Sequence, residues 1–224
     1  MSHTLAALAA ALPLASGWSV HSLFMRRRYD AARRDPLTGL WTRDPFEERA
    51  RKSLAQGQPR AVYVIDLNWF KQINDTFGHA AGDAVIRATG QRFGEWAEDN
   101  AGVAGRLGGD EFAAVTTVRA GIGTVTGSLL VQLADLLDRL EQPVDFEGQR
   151  IDVYASVGAA PCWRSDEADL SALLRRADEQ MYRTKQEGGG WSIAPALGSP
   201  TGMRTVNGRR EGRPGTTSGT EAAA

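Results

Sequence analysis

Arg106-Leu107-Gly108-Gly109-Asp110-Glu111-Phe112 sets two adjacent glycines against two adjacent carboxylates, between apolar stretches of strand character. Adjacent glycines reach positive φ and carry no Cβ, so the backbone turns tightly and a phosphate can come close to it. The flanking segments, Gly102 to Leu107 and Phe112 to Thr117, read as the arms of a β-hairpin. Asp110 and Glu111 project from the start of the second arm, on opposite faces where a strand alternates regularly. Taken alone, the stretch is satisfied by a hairpin bend with solvated acids. Chemistry at the bend requires partners from elsewhere in the chain.

Upstream, Ala61-Val62-Tyr63-Val64-Ile65 is β-branched and nearly unbroken, the pattern of a central strand buried on both faces, and it ends at Asp66. Phe70 to Phe77 predicts a short helix closed by Gly78-His79, and Gly82-Asp83 opens a longer one carrying Val85, Ile86, Ala88, Phe93 and Trp96. Nearer the start, Asp35-Pro36-Leu37-Thr38-Gly39-Leu40 is a turn docked by Leu37, Leu40 and Trp41. Asp44 then caps a helix with Pro45 at its first position, running through Phe46, Ala50 and Leu54. Downstream, Leu129, Leu130, Leu133, Leu136, Leu137 and Leu140 recur at helical spacing over Thr126 to Glu141. Pro143 to Phe146 and Arg150 to Gly158 predict two strands around Glu147-Gly148, and Leu170 to Tyr182 marks a last helix stopping at Gly188-Gly189-Gly190. The order of elements is an α/β or α+β plan, one sheet covered by helices, with no internal repeat.

A chain of 224 residues accommodates one such domain with appendages. Its formal net charge of -1 gives no global attraction to nucleic acid, so an anionic ligand must be held by local cations. Cys162 is the single cysteine, which excludes an internal disulfide and a thiolate zinc cluster. Lysine occurs only at positions 52, 71 and 185, and arginine supplies the other basic side chains.

Leu5 to Met25 holds no Asp, Glu, Lys or Arg and spans roughly 20 residues, membrane-crossing length. Arg26-Arg27-Arg28 and Arg33-Arg34 follow it, so the positive-inside rule puts the remainder at the inner, cytoplasmic face of the cell membrane. The expected organisation is a membrane anchor in 1–25, a basic linker over 26–34, a folded domain over 35–193 and a disordered Gly-, Thr-, Arg- and Ala-rich tail over 194–224.

Two accounts of Asp66 stand open on the residues alone. It caps the following helix, or it is a metal ligand that neighbouring strands bring beside Asp110. The oxygen donors of the second account suit Mg²⁺, which binds through one or two carboxylates plus substrate phosphates. Such a site beside a glycine turn points to phosphoryl or nucleotidyl transfer.

Gly108-Gly109-Asp110-Glu111-Phe112 resembles the signature of the GGDEF family, the diguanylate cyclases. Other blocks resemble that family in the same order: Asp35 to Leu40; Asp66-Leu67-Asn68-Trp69-Phe70-Lys71; Asn74 to His79 with Gly82-Asp83; Ser156-Val157-Gly158; and Arg176 to Tyr182 with Lys185. The similarity runs from about Asp35 to Trp191.

The resemblance implies a palm-like, ferredoxin-like central sheet that binds one GTP per domain, with two domains facing each other to make cyclic di-GMP and pyrophosphate. It implies that Asp66 and Asp110, helped by the backbone carbonyl of Leu67, bind Mg²⁺, for which Mn²⁺ can substitute. It further implies that Asp110 accepts the proton of the 3′-hydroxyl and that Glu111 is a second metal contact. On the same resemblance, Asn74 and Asp83 would hold guanine, Lys71 and Lys185 would meet the phosphates, and Gly108 and Gly109 would let the substrate approach the turn. A carboxylate at Asp83 favours GTP over ATP, because guanine offers N1–H and N2 amino donors that adenine lacks.

Three positions depart from the family pattern. Asn68 replaces a second acid near the metal position, and Gly188-Gly189-Gly190 leaves no arginine for the phosphates after Lys185. Asp99-Asn100-Ala101-Gly102 stands where product-inhibited members carry an Arg-x-x-Asp pair, so no feedback site is expected. The alternative function is a weak or inactive domain that serves as a GTP-binding or protein-interaction regulator. His21 and His79 have no second metal-ligating partner at suitable spacing and read as structural.

Overall fold

The strand over Arg60–Leu67 is buried along its whole length and lies between two antiparallel neighbours. This is the arrangement its unbroken apolar run calls for. In the computed structural model, residues 33–118, 125–163, 169–195 and 207–208 are described. The expected anchor over 5–25 lies outside them, as do most of the basic linker and most of the tail. Among the described residues, no helix is long and apolar enough to cross a membrane.

The elements in chain order are β1 (Trp41–Thr42), α1 (Arg43–Leu54), β2 (Arg60–Leu67), α2 (Phe70–Phe77), α3 (His79–Asp99), β3 (Val103–Gly108) and β4 (Glu111–Thr117). They continue with α4 (Val125–Leu140), β5 (Val144–Phe146), β6 (Gln149–Ile151), β7 (Ala155–Cys162), α5 (Leu170–Gln186), β8 (Gly190–Ile193) and β9 (Asn207–Gly208). One mixed sheet has the order β1-β3-β4-β2-β7-β8-β9, and β5 and β6 form a separate hairpin. The single helix-covered sheet expected from the sequence is present.

Alternation along β2 divides the core. Tyr63 and Ile65 pack with Phe112, Val157, Phe93, Trp96, Leu129 and Leu133, the cluster beneath α3 and α4. Val62 and Val64 pack with Ala113, Val115, Phe46, Leu173 and Met181, beneath α1 and α5. Burying each such leucine or phenylalanine contributes about 1.5–3 kcal/mol.

Several sequence expectations shift. The cap of α1 is Thr42, with Asp44 inside the first turn, because Arg43 already has helical geometry. Gly82-Asp83 lies within α3, which starts at His79 directly after the Gly78 break. The segment from Arg150 contributes one short strand to the β5–β6 hairpin, and β7 begins only at Ala155. β8, parallel to β7, escaped the periodic reading because Gly190-Trp191-Ser192-Ile193 is short and glycine-led. Asn207–Gly208, inside the stretch expected to be disordered, pairs antiparallel with β8.

Candidate active site

Asp66 stands one residue before the end of β2, opposite Glu111 of β4 and Ser156 of β7 in register. Residues directly opposite in antiparallel strands share a face, so all three lie on the α5 side of the sheet. Asp66 belongs to the strand, and the N-cap of α2 is Trp69, so the helix-cap account of Asp66 falls. The Asp66 carboxylate is buried and accepts a hydrogen bond from Lys185 Nζ at 2.6 Å. Burial pushes its pKa up; the Lys185 hydrogen bond opposes this, and the charges of Asp110 and Asp178 raise it further. The net result is a carboxyl above its ordinary range.

Asp110 sits in the turn and Glu111 begins β4, which corrects the expectation that both leave from the strand. Gly109 has φ +51°, a left-handed conformation, and open space lies where a Cβ would project. Two glycines therefore serve the turn itself and leave its outer side clear. The bend is held from within. Arg106 donates to the carbonyl of Gly109 from Nε at 2.9 Å and Nη2 at 2.7 Å, and its Nη1 reaches Asp35 Oδ1 at 3.0 Å. Asp35 also accepts from the Thr38 backbone N–H at 2.9 Å and hydroxyl at 2.7 Å. Burial works against its charge, but the hydrogen bonds from Thr38 and Arg106 together prevail and hold its carboxyl below the ordinary value.

The other predicted residues come from α2 and α3. Trp69 takes φ +56°, an uncommon conformation for a bulky residue, and turns the chain from β2 into α2. Lys71 follows in the first turn of α2, exposed and without an ion-pair partner among the described residues. Asn74 lies over Gly82, where an added Cβ would stand 2.0 Å from Asn74 Oδ1. The missing side chain at 82 thus leaves room for the Asn74 amide on α3, next in sequence to Asp83, which is exposed. A cleft of about 580 Å³ on α2 is lined by Trp69, Ile73, Phe77 and Tyr154, takes neither Asn74 nor Lys71, and has no lysine or arginine in its lining. It is no phosphate site.

The fold therefore joins Asp66, Asp110, Glu111 and Lys185 at one end of the sheet, and Asn74 with Asp83 across the α2–α3 junction. Leu67 is buried in β2, opposite Ala155. Asn68 bonds Ser156, whose hydroxyl donates to Asn68 Oδ1 at 2.8 Å. Among the described residues, no group of three His, Cys, Asp or Glu side chains is arranged to hold a metal ion. Two carboxylates with all-oxygen chemistry fit a Mg²⁺ that draws its remaining ligands from water and phosphate. Sequence reading missed the Arg106–Asp35 clamp, the approach of Asp178 to Asp66 and the seat at Gly82. Each lies within a stretch already singled out, but the pairings are long-range or depend on an absent side chain.

A family model described as diguanylate cyclase, GGDEF domain, matches residues 32–190. An uncharacterized 19.3 kDa protein of Streptomyces ambofaciens is 41% identical over 174 residues, 78% of this chain and 89% of that protein. Diguanylate cyclase DgcP of Pseudomonas aeruginosa is 32% identical over 166 residues, 69% of this chain but 22% of DgcP. The chain thus spans about a fifth of that relative. A crystal structure of a sensory box/GGDEF family protein from Caulobacter crescentus is similar with a TM-score of 0.59 and 34% identity, covering 70% of this chain and 99% of that one.

Proposed function

This chain belongs to the GGDEF domain family, and we propose that it is a diguanylate cyclase, condensing two GTP into cyclic di-GMP and two pyrophosphates. One observation carries the reading. A buried carboxylate, Asp66, is crowded by the charge of Asp110 and touched by Lys185 at the glycine turn. Such crowding is costly to a fold and is useful where a cation and phosphates are to be bound.

In the proposed reaction each 3′-hydroxyl forms a P–O bond to the α-phosphorus of the other nucleotide, and each α-phosphorus loses pyrophosphate. Asp110 accepts the hydroxyl proton. Lys185 and Lys71 take up charge developing on the leaving pyrophosphate. Asp83 accepts from guanine N1–H and N2, and the Asn74 amide, seated over Gly82, fixes the base edge. Asp66, Asp110 and the Leu67 carbonyl are the residues that would hold Mg²⁺, with Glu111 beside them; bound there, the ion supplies Lewis-acid polarisation of the reacting phosphate and hydroxyl. Because each nucleotide attacks the other, one domain does not complete the product, and two copies must face each other.

Asp99 to Gly102 lacks the arginine of a product-inhibition pair, and Asp99 instead accepts an ion pair from Arg139 at 2.8 Å. This supports a cyclase without feedback through that segment. The charge asymmetry around residues 5–25 supports tethering at the inner face of the membrane. A second reading, a GTP-binding regulator without turnover, draws on Gly188-Gly189-Gly190, which supplies no arginine to the phosphates. Incubating the full chain with GTP and Mg²⁺ and resolving products by chromatography separates them. Cyclic dinucleotide supports the cyclase, bound but unreacted GTP supports the regulator, and the absence of both refutes both readings.

A further inference from the structure

We propose that Lys185 is a latch on Asp66 in the nucleotide-free protein, so that a divalent cation is admitted to the Asp66–Asp110 pair only together with a nucleoside triphosphate. The inference rests on the reading of this site as a nucleotide site and adds its order of loading.

The ammonium of Lys185 donates to Asp66 Oδ1 at 2.6 Å, a charge-assisted bond to a carboxylate that the proposed site would give to the metal. The two partners differ in freedom. The Asp66 side chain is 8% exposed on a central strand, whereas that of Lys185 is 42% exposed. Lys185 also lies one residue before the end of α5. The carboxylate is fixed, and the lysine is the partner that can leave. A divalent ion arriving alone must displace this ammonium.

What it gains in return is small. The charged groups facing Asp66 are Asp110 from the hairpin and Asp178 and Lys185 from α5. Asn68, two residues on, is neutral and its Oδ1 is engaged by Ser156. With no set of three acids arranged for a metal among the described residues, the ion would have the carboxylates of Asp66 and Asp110, the Leu67 carbonyl and water. Mg²⁺ gives up its water reluctantly and normally completes such a site with substrate phosphates.

A triphosphate changes both sides of this balance. It offers Lys185 a more highly charged partner than Asp66, and it brings the oxygen ligands the ion lacks. The glycines at 188 to 190 contribute no competing cation beyond Lys185. Lys185 passing from Asp66 to phosphate therefore opens the carboxylate at the moment the nucleotide arrives. Linkage makes the coupling reciprocal, so the cation tightens nucleotide binding by the same factor.

The test titrates the full chain with Mn²⁺ in the absence of nucleotide, reading free Mn²⁺ by electron paramagnetic resonance. Lys185→Met and Lys185→Gln remove the ammonium and are expected to bind Mn²⁺ about tenfold or more tightly than the unaltered chain, while Lys185→Arg, which keeps a cation, stays weak. Circular dichroism identifies which variants are folded, and two neutral replacements guard against loss of one. Equal Mn²⁺ affinity in the unaltered chain and the folded neutral variants overturns the latch. The same preparations titrated with a GTP analogue carrying a methylene between the α- and β-phosphates report separately on the nucleotide reading. A chain that binds no analogue sinks that reading, and the nucleotide-free comparison still decides whether Lys185 blocks the metal.

Discussion

Asp35 and Asp66 are both shielded aspartates, and each meets one basic side chain from a distant part of the chain. They end on opposite sides of the ordinary carboxylate value. Burial raises both. At Asp35, two hydrogen bonds from Thr38 and the guanidinium of Arg106 overcome it, and no like charge intrudes. At Asp66, a single ammonium faces burial plus two neighbouring acids and does not overcome them. The first carboxylate is finished by the fold and locks the glycine bend to the start of the domain. The second is left wanting a cation, as expected of a site whose cation and phosphates come from outside.

The largest effect should come from removing the acid that crowds Asp66. Asp110→Asn is isosteric and takes away both the repulsion and the proton acceptor. Product formation from GTP should fall by at least about 10²–10⁴-fold, while the thermal midpoint stays level or rises by a degree or two, on the order expected for relief of about half a kcal/mol. Retained turnover would remove Asp110 from the chemistry. A large loss of stability would mean that the two acids are not the strained pair described.

Arg106→Ala tests the other half. It strips Asp35 of its cation and the Gly109 carbonyl of two donors, in a pair whose side chains are 16% and 17% exposed. Losing charge-assisted hydrogen bonds of this kind should destabilise the domain by about 1.5–3 kcal/mol, read by urea unfolding. Activity should fall too, because the bend carrying Asp110 loses its tether. If stability is unchanged, the clamp is a surface pair with no structural consequence.

A smaller and more selective effect is expected at Gly82. An alanine Cβ would meet Asn74 Oδ1 at 2.0 Å and Asn74 Cγ at 2.9 Å, and the nearest of these is the far end of a flexible side chain. The amide swings away and the helix survives, helped by roughly 1 kcal/mol of alanine propensity. Gly82→Ala should therefore melt no lower than the unaltered chain yet bind GTP about tenfold more weakly, the loss of one or two base hydrogen bonds. Unchanged GTP affinity would move the base site away from Asn74.

The two regions were not equally legible before the fold was known. The buried run over Ala61 to Ile65, the bend at Gly108-Gly109 and the helix over Phe70 to Phe77 announce themselves by local pattern, and their positions hold to within about two residues. Neither carboxylate's state is wholly local. Asp35 reads as turn chemistry, and its guanidinium lies 71 residues away. Asp66 reads equally as a cap or a ligand until β2 continues through it and α5 brings Lys185 from 119 residues away. The glycine at 82 carries its information in what is missing. Helix boundaries near glycine shifted for a similar reason: Gly78, and not Gly82, is the residue that breaks from helical geometry.

The finest test of the contrast is the sign of each group's contribution to stability as pH falls. Asp66 has a folded pKa above its ordinary value of 3.8. Between 3.8 and that raised value the native state binds more protons than the unfolded one, so stability rises as pH falls through this window. Asp35 lies below 3.8, so its contribution is present above that value and is lost as pH falls through the folded pKa. The two windows meet without overlapping. Thermal midpoints measured from pH 7 to pH 2.5 for the unaltered chain, Asp35→Asn and Asp66→Asn should separate them. Relative to the unaltered chain, Asp66→Asn should lose ground as pH drops toward about 4, because the unaltered Asp66 is being relieved by protonation. Asp35→Asn should instead recover ground only below about 4, where the unaltered Asp35 loses its charge and its hold on Arg106. Differences of the same sign in both windows would mean that the carboxylates are in like environments, and the division between a finished and an unfinished aspartate would not stand.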